Sequence, residues 1–124
     1  MTEEISNEFL LSIIEEKLDA FGVPRRLLGY RYILSAVEKS LYDMNVLDGI
    51  TKNLYPNMAK QFYTTYGAVE RNIRTAIGCM CKNGNAKEIR KIMYYKRKGV
   101  HFTNKEFIFA TVNEVKKELA LRKI

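Results

Sequence analysis

The chain has few of the residues from which catalytic and metal sites are built. Its 124 residues include two cysteines and one histidine, too few ligands for a Cys/His zinc site. Cys79 and Cys81 lie two positions apart in a predicted helix and point to different sides of it, so we expect two reduced, unpaired thiols. His101 lies in a basic loop with no Cys or Ser partner, and we expect it at the surface.

Other signatures of chemistry are also absent. The chain has no glycine-rich phosphate loop and no nucleophile turn of the hydrolase type. Carboxylate pairs occur at Glu3-Glu4 and Glu15-Glu16, but adjacent helical side chains diverge, so a solvated surface explains them better. We therefore predict that the protein is not an enzyme and that it uses no cofactor and no metal.

Chain breakers and long apolar runs are rare too. Two prolines and seven glycines interrupt the chain, and no segment has the alternation of a half-buried strand. The apolar runs are too short to span a membrane, and no signal peptide is recognisable. With an apolar fraction of 47%, residues 1–124 are expected to form one all-α domain in the cytoplasm.

Acidic residues are scarce in the middle of the chain. Residues 1–24 carry six acids and one base, a net charge of −5, whereas residues 51–105 carry twelve bases and two acids, a net charge of +10. A field of one sign over the middle of a small domain favours a polyanionic partner. The charge alone is weak support, because many basic surfaces are only solvated.

Apolar spacing and helix-ending residues predict six helices. Gly22 ends the first, and Pro56 is tolerated only in the first turn of the third, which follows a short turn at 50–54. The predicted ranges are 6–21, 28–44, 56–63, 66–82, a short basic helix within 86–102, and 103–121 after a capping box. The residues predicted to be buried are Phe9, Leu10, Ile13, Ile14, Leu18, Tyr30, Ile33, Leu34, Val37, Leu41, Met58, Ala59, Phe62, Val69, Ile73, Ala76, Ile77, Met80, Phe107, Ile108, Val112, Val115 and Leu119.

The stretch 55–83 has the proportions of a helix-turn-helix: a short helix, a four-residue polar turn and a longer helix. The apolar residues of the longer helix share an arc of about 100°, and Arg71 and Arg74 project from the opposite side. Gly67 and Ala68 are small, so the helix could enter a DNA major groove closely. Thr65 is the better candidate for its N-cap.

The exposed side chains of this longer helix indicate how it could bind DNA. Arg71 and Arg74 can form bidentate hydrogen bonds with guanine, and Glu70 can accept one from cytosine or hold a neighbouring arginine. Two arginines one turn apart usually mark only the solvent-exposed side of a helix. Here the local positive charge and the preceding short helix and turn favour base contact. The predicted DNA-backbone contacts are Lys60, Thr64, Thr65, Thr75, Lys82, Lys96, Arg97 and Lys98.

Five sequence motifs occur in order from Gly22 onward. They are GVPRRLLGYRYILSAV, GITKNLYPNMAKQF, TT-x-x-x-VER-x-IR-x-AI at 64–77, GN at 84–85 and TNKEFI at 103–108. At close to this spacing, they resemble the C-terminal DNA-binding effector domain of the stage 0 sporulation protein A family, the response regulators of sporulation initiation. The resemblance implies a six-helix fold with a helix-turn-helix that binds a TGTCGAA-like box.

The resemblance also implies partners. Family members bind tandem DNA sites as dimers and activate or repress early sporulation genes, partly through contact with RNA polymerase sigma subunits. A location at the nucleoid follows. By position, the base-reading residues are Glu70, Arg71 and Arg74, in agreement with the helical arrangement described above.

The chain departs from the family pattern in three places. Ala68 replaces an arginine that contacts a base, which predicts an altered or less stringent box. The segment 86–102 is about two residues shorter than in the family pattern and is more basic. In the family this region neighbours the polymerase contact, so that role is poorly supported for this chain, and binding to DNA phosphates is an equal alternative. The phosphoacceptor receiver domain is absent, so the chain is either an excised effector domain or a stand-alone version, expected to bind DNA without phosphorylation.

Three functions therefore remain in competition. The leading one is a sequence-specific, DNA-binding transcription regulator with residues 66–82 in the major groove. The first alternative is a helical protein-interaction module that pairs with a full-length regulator. The second alternative is a nucleic-acid binder without sequence preference, driven by the positive charge of residues 51–105.

Overall fold

The computed structural model of the chain describes residues 6–95 and 102–122, so His101 lies outside the described residues. Within these ranges the fold contains six α-helices and no β-strand, which confirms the all-α prediction. The helices are α1 (Asn7–Phe21), α2 (Leu28–Tyr42), α3 (Tyr55–Gln61), α4 (Tyr66–Asn83), α5 (Ala86–Arg90) and α6 (Asn104–Arg122).

The ends of α1 and α2 follow from local hydrogen bonding. The Ser6 hydroxyl accepts a hydrogen bond from the Phe9 amide at 3.1 Å and caps α1, while Gly22, with a φ of 91°, ends that helix as predicted. The second helix ends at Tyr42, two residues earlier than predicted. Its end is set by Asp43, which has an extended backbone and accepts from the Asn45 amide at 3.0 Å, starting a 3₁₀ turn.

The connection before α3 differs from the predicted separate turn. Ile50–Leu54 forms a wide π-type turn that runs directly into α3. Pro56 lies in the first turn of α3, where the amide hydrogen that proline lacks would have no helical partner. The helix from Tyr55 therefore has only seven residues, and it depends on packing against α4 for its stability.

The core lies around α2, which packs against α1, α4 and α6. Phe107 of α6 is completely buried, with the rings of Phe21 and Phe102 packed edge-on at 5.7 and 5.8 Å. Most of the predicted core is confirmed, including every apolar residue predicted on α4. The partly buried members, which pack at the edge of the core, are Leu34, Leu41, Phe62 and Leu119.

The prediction for Phe9 is wrong, because the residue is 40% exposed. The buried face of α1 is formed by Leu10, Ile13, Ile14 and Leu18, and Phe9 lies outside it. Its ring is covered in part by the Arg122 guanidinium, whose centre lies 5.7 Å from the ring centroid. Helical spacing could not exclude Phe9, because the width of the buried arc is set by the neighbouring helices.

Among the described residues, no group of three or more His, Cys, Asp or Glu side chains could hold a metal ion. Cys79 and Cys81 are both free thiols with partly buried side chains. No helix in the described part of the chain is long and apolar enough to cross a membrane.

Candidate nucleic-acid interface

The turn between α3 and α4 consists of residues 62–65. It is closed by backbone hydrogen bonds, from the Thr64 amide to the Ala59 carbonyl at 2.9 Å and from the Tyr63 amide to the Lys60 carbonyl at 3.3 Å. Tyr63 has a φ of 55° and so lies in the left-handed region. This reversal lets the chain leave α3 and start α4 within four residues, the turn length predicted for a helix-turn-helix. The helix α3 ends at Gln61, two residues before the end predicted at 63.

Thr65 caps the N-terminus of α4, as predicted. Its backbone is extended, and its hydroxyl oxygen accepts a hydrogen bond from the Ala68 amide at 3.1 Å. Because a hydroxyl can donate while it accepts, the same side chain keeps a hydrogen to donate to a phosphate. Capping and phosphate contact are therefore compatible at Thr65.

The cap gives a stability prediction. Replacing Thr65 with alanine is expected to lower the free energy of unfolding by about 1 kcal/mol, because the Ala68 amide loses its partner. Urea denaturation followed by circular dichroism measures the change. Thr65→Ser is the matched control, since it retains the hydroxyl and is expected to unfold close to the wild type. Equal stability of the alanine variant and the wild type would contradict a capping role.

The recognition helix α4 has one completely buried face and one exposed face. The buried face comprises Val69, Ile73, Ala76, Ile77 and Met80, and none of these is more than 2% exposed. The exposed face comprises Arg71, Arg74, Thr75, Gly78 and Lys82, and so includes both arginines that were predicted to project from this side. Since the buried face fixes the rotation of the helix, the two arginines are held pointing away from the core.

Glu70 pairs with Arg74, one helical turn later, rather than with the adjacent Arg71. Its side chain is 35% exposed, whereas the Arg74 side chain is 60% exposed. The pair is a hydrogen-bonded i, i+4 salt bridge, a spacing that orients an arginine along the helix surface. Two roles were suggested for Glu70, acceptance of a hydrogen bond from cytosine and a contact that holds a neighbouring arginine. The ion pair with Arg74 corresponds to the second role.

Asn104 connects the start of α6 to both helices of the helix-turn-helix. Its side-chain amide donates to the Tyr55 hydroxyl at 2.9 Å and to the Glu70 carbonyl at 3.1 Å. Tyr55 is almost completely buried, and this burial raises the pKa of its phenol. The ring of Tyr66 packs edge-on against Tyr55 at 6.3 Å. Asn104 therefore positions the first two turns of α4.

Sequence reasoning missed this role of Asn104. Its partners lie 49 and 34 residues away in the chain, so no helical spacing relates them. The only available signal was the position of Asn104 inside the TNKEFI motif at 103–108.

The close approach of α2 to α4 depends on Gly29. A Cβ atom at this position would lie 2.1 Å from the Asn72 carbonyl oxygen and 2.6 Å from the Ala76 Cβ atom. Both distances are far below van der Waals contact, so only glycine allows α4 to pack this closely. The opposite side of α4 is open, since a Cβ atom at Gly67 or Gly78 would meet nothing within 4 Å.

The predicted DNA-backbone residues lie around this open side or outside the described residues. Lys60, at the end of α3, and Thr75 and Lys82, on α4, are exposed, whereas Thr64 in the turn is partly buried. Thr65, the N-cap of α4, is exposed, and the last three predicted contacts, Lys96, Arg97 and Lys98, fall in the segment 96–101, which the structure does not describe.

Glu15, Glu16 and Asp19 of α1 are paired with cations of α6 and of the loop after α1. Arg25 donates three hydrogen bonds to Asp19, two from Nε and one from Nη2, and these lower the pKa of that carboxyl. Glu16 pairs with Arg122 of α6 at 3.2 Å. Because α1 packs mainly on α2 and α6, its carboxylates oppose these cations rather than the arginines of α4.

The chain also matches a known protein family. Residues 14–115 match the family model described as sporulation initiation factor Spo0A, C terminal. The match covers most of the chain and includes α2, α3, α4 and α5 in full. It therefore includes both helices of the helix-turn-helix, Gly29 and Asn104.

Proposed function

Because the chain belongs to the family of Spo0A C-terminal domains, we propose that it is a sequence-specific transcription regulator whose α4 lies in the DNA major groove. Membership of this family makes the chain a DNA-binding domain of sporulation initiation. The family consists of DNA-binding domains rather than of enzymes. The observation that carries the finer proposal is the geometry of α4. Its buried face fixes the helix so that Arg71 and Arg74 point outward together.

The proposed roles follow from hydrogen-bonding chemistry. Arg71 is exposed and is given no hydrogen bond or ion pair by the described residues, so its guanidinium is available to guanine O6 and N7. Arg74 also reads a base, with Glu70 holding its side chain along the helix. In this arrangement Glu70 reduces the conformational entropy that the Arg74 side chain loses on binding DNA. The Glu70 carboxylate can accept a hydrogen bond from a cytosine at the same time.

The DNA target and further partners are proposed from family membership. We infer a TGTCGAA-like box, bound by dimers on tandem sites, with a contact to an RNA polymerase sigma subunit. Ala68 is partly exposed at the N-terminal end of α4, where an arginine would be needed for one further base contact. We therefore expect a box that is altered or less stringent at one position.

A salt titration with two duplexes tests the proposed function. The chain is expected to bind a TGTCGAA-containing duplex about 10³-fold or more tightly than a scrambled duplex of equal composition at physiological salt. The reason is that phosphate contacts contribute to both duplexes alike, while base contacts contribute only to the cognate one. Fluorescence anisotropy at several salt concentrations gives both affinities and both salt slopes.

Each alternative function has a distinct outcome in the same titration. Equal affinity for the two duplexes, with a steep salt dependence, would replace the proposal with sequence-blind nucleic-acid binding. Failure to bind either duplex would favour the protein-interaction module that pairs with a full-length regulator.

A further inference from the structure

Tyr63 is the most unusual side chain near the recognition helix. Among the described residues it is the only non-glycine residue with a positive φ, at 55°. The residue is also 97% exposed, the highest value among the exposed large apolar and aromatic residues. It thus combines an unfavourable backbone conformation with an aromatic ring that is almost completely in water.

Neither property is explained by the fold. Left-handed backbone is costly for residues with a Cβ atom, and glycine or asparagine adopts it more easily. A tyrosine could offset that cost by packing its ring, but among the described residues Tyr63 is hydrogen-bonded only through its backbone amide, and its hydroxyl and ring have no hydrogen bond or ring contact. In the isolated domain a smaller polar residue would therefore be more stable at this position.

The location of Tyr63 indicates what the exposed ring could contact. It directly precedes Thr64 and Thr65, and Thr65 caps the N-terminus of α4. The left-handed turn places the residue on the outside of the reversal, beside exposed Lys60. In helix-turn-helix proteins this end of the second helix approaches the DNA, and tyrosine hydroxyls are among the groups that donate to phosphate oxygens.

From this combination we propose that Tyr63 is a DNA-backbone contact, in which its phenolic hydroxyl donates a hydrogen bond to a phosphate beside the groove that α4 enters. The proposal rests on the proposed function and adds a residue to it. The contact is uncharged, so it positions the domain on the duplex without releasing a counterion. It reads no base, and so it strengthens binding to every sequence alike.

Two variants of Tyr63 test the contact. Tyr63→Phe removes only the hydroxyl and is expected to weaken binding about three- to tenfold, equally on cognate and scrambled duplexes. The salt slope should stay unchanged, whereas Lys82→Ala, which removes a charge, should reduce it by about 1. Tyr63→Asn should weaken binding at least as much while raising the thermal unfolding midpoint by about 3–6 °C, because asparagine tolerates the left-handed backbone.

A tyrosine at another surface serves as the control. Tyr42, at the end of α2, is 66% exposed, and its hydroxyl donates to Asn7 of α1 at 3.4 Å. Tyr42→Phe therefore makes the same chemical change away from α3 and α4, and we expect wild-type affinity for both duplexes.

The outcomes separate this proposal from the proposed function. Wild-type affinity of both Tyr63 variants would overturn the phosphate contact while leaving sequence-specific binding intact. A loss of affinity together with a lower unfolding midpoint would also overturn it, because Tyr63 would then act through the fold. Equal binding of wild-type protein to the two duplexes would refute the proposed specificity, yet a uniform loss in Tyr63→Phe would still support the contact.

Discussion

Replacing Arg71 with alanine is expected to weaken binding to the cognate duplex by about 1–3 kcal/mol, or roughly 5- to 150-fold, with a much smaller loss on scrambled DNA. The Arg71 side chain is exposed and forms no ion pair or hydrogen bond with the described residues, so its removal should leave the fold unchanged. The loss then measures its contact with DNA. Anisotropy titrations on both duplexes, with a denaturation curve for each protein, provide the measurement.

Two further variants locate the source of that loss. Arg71→Lys keeps the charge but cannot form the bidentate pair with guanine, so it should lose specificity and retain the salt slope. Arg26→Ala removes an exposed arginine from the loop between α1 and α2 and should leave the ratio of the two affinities unchanged. A loss for Arg71→Ala that is the same on cognate and scrambled duplexes would show that Arg71 contacts a phosphate instead of a base.

Replacing Gly29 with alanine is expected to lower the free energy of unfolding by about 1–3 kcal/mol. In an open helix the same change would stabilise the protein by up to about 1 kcal/mol, because alanine has the higher helix propensity. At Gly29 the steric clash outweighs this gain and makes the substitution destabilising, since the new Cβ atom would lie 2.1 Å from a backbone carbonyl oxygen of α4. That oxygen can move away only if the helix moves with it.

Gly78→Ala is the matched control for this prediction. Gly78 also lies within a helix, but a Cβ atom there would meet nothing within 4 Å, so we expect a stability equal to or above that of the wild type. Guanidinium denaturation of both variants gives the comparison, and DNA binding by Gly29→Ala should fall as well, because α4 carries both arginines. If Gly29→Ala were as stable as Gly78→Ala, the close packing of α2 on α4 would be refuted.

Local features of the candidate site could be predicted because they depend on residues a few positions apart. Thr65 and Ala68, three residues apart, form the N-cap, and Thr103 and Glu106 form the capping box with hydrogen bonds of 3.1 and 2.8 Å. The buried face of α4 follows the same helical spacing, and that spacing alone directs Arg71 outward. The resemblance to the Spo0A family rested on similarly short motifs, and the family match confirms it.

Contacts between distant residues could not be predicted in this way. The sequence left two roles open for Glu70, and the observed partner is Arg74. Spacing also placed Phe9 in the core, although the helices packed against α1 leave it 40% exposed. A short turn at 50–54 was predicted, but its π-type geometry and its continuity with α3 were not, because they depend on how the chain enters α3.

The sequence by itself therefore determined that the chain is all-α, where its recognition helix begins, and which face of that helix is exposed. These properties depend on backbone hydrogen bonds and side-chain spacing within one or two helical turns. Only the tertiary structure decided how α4 is held, through the Asn104 amide bonded to Tyr55 and the Glu70 carbonyl and through Gly29 against Asn72. Folding brings these residues together from distant parts of the chain, and no local pattern encodes their distances.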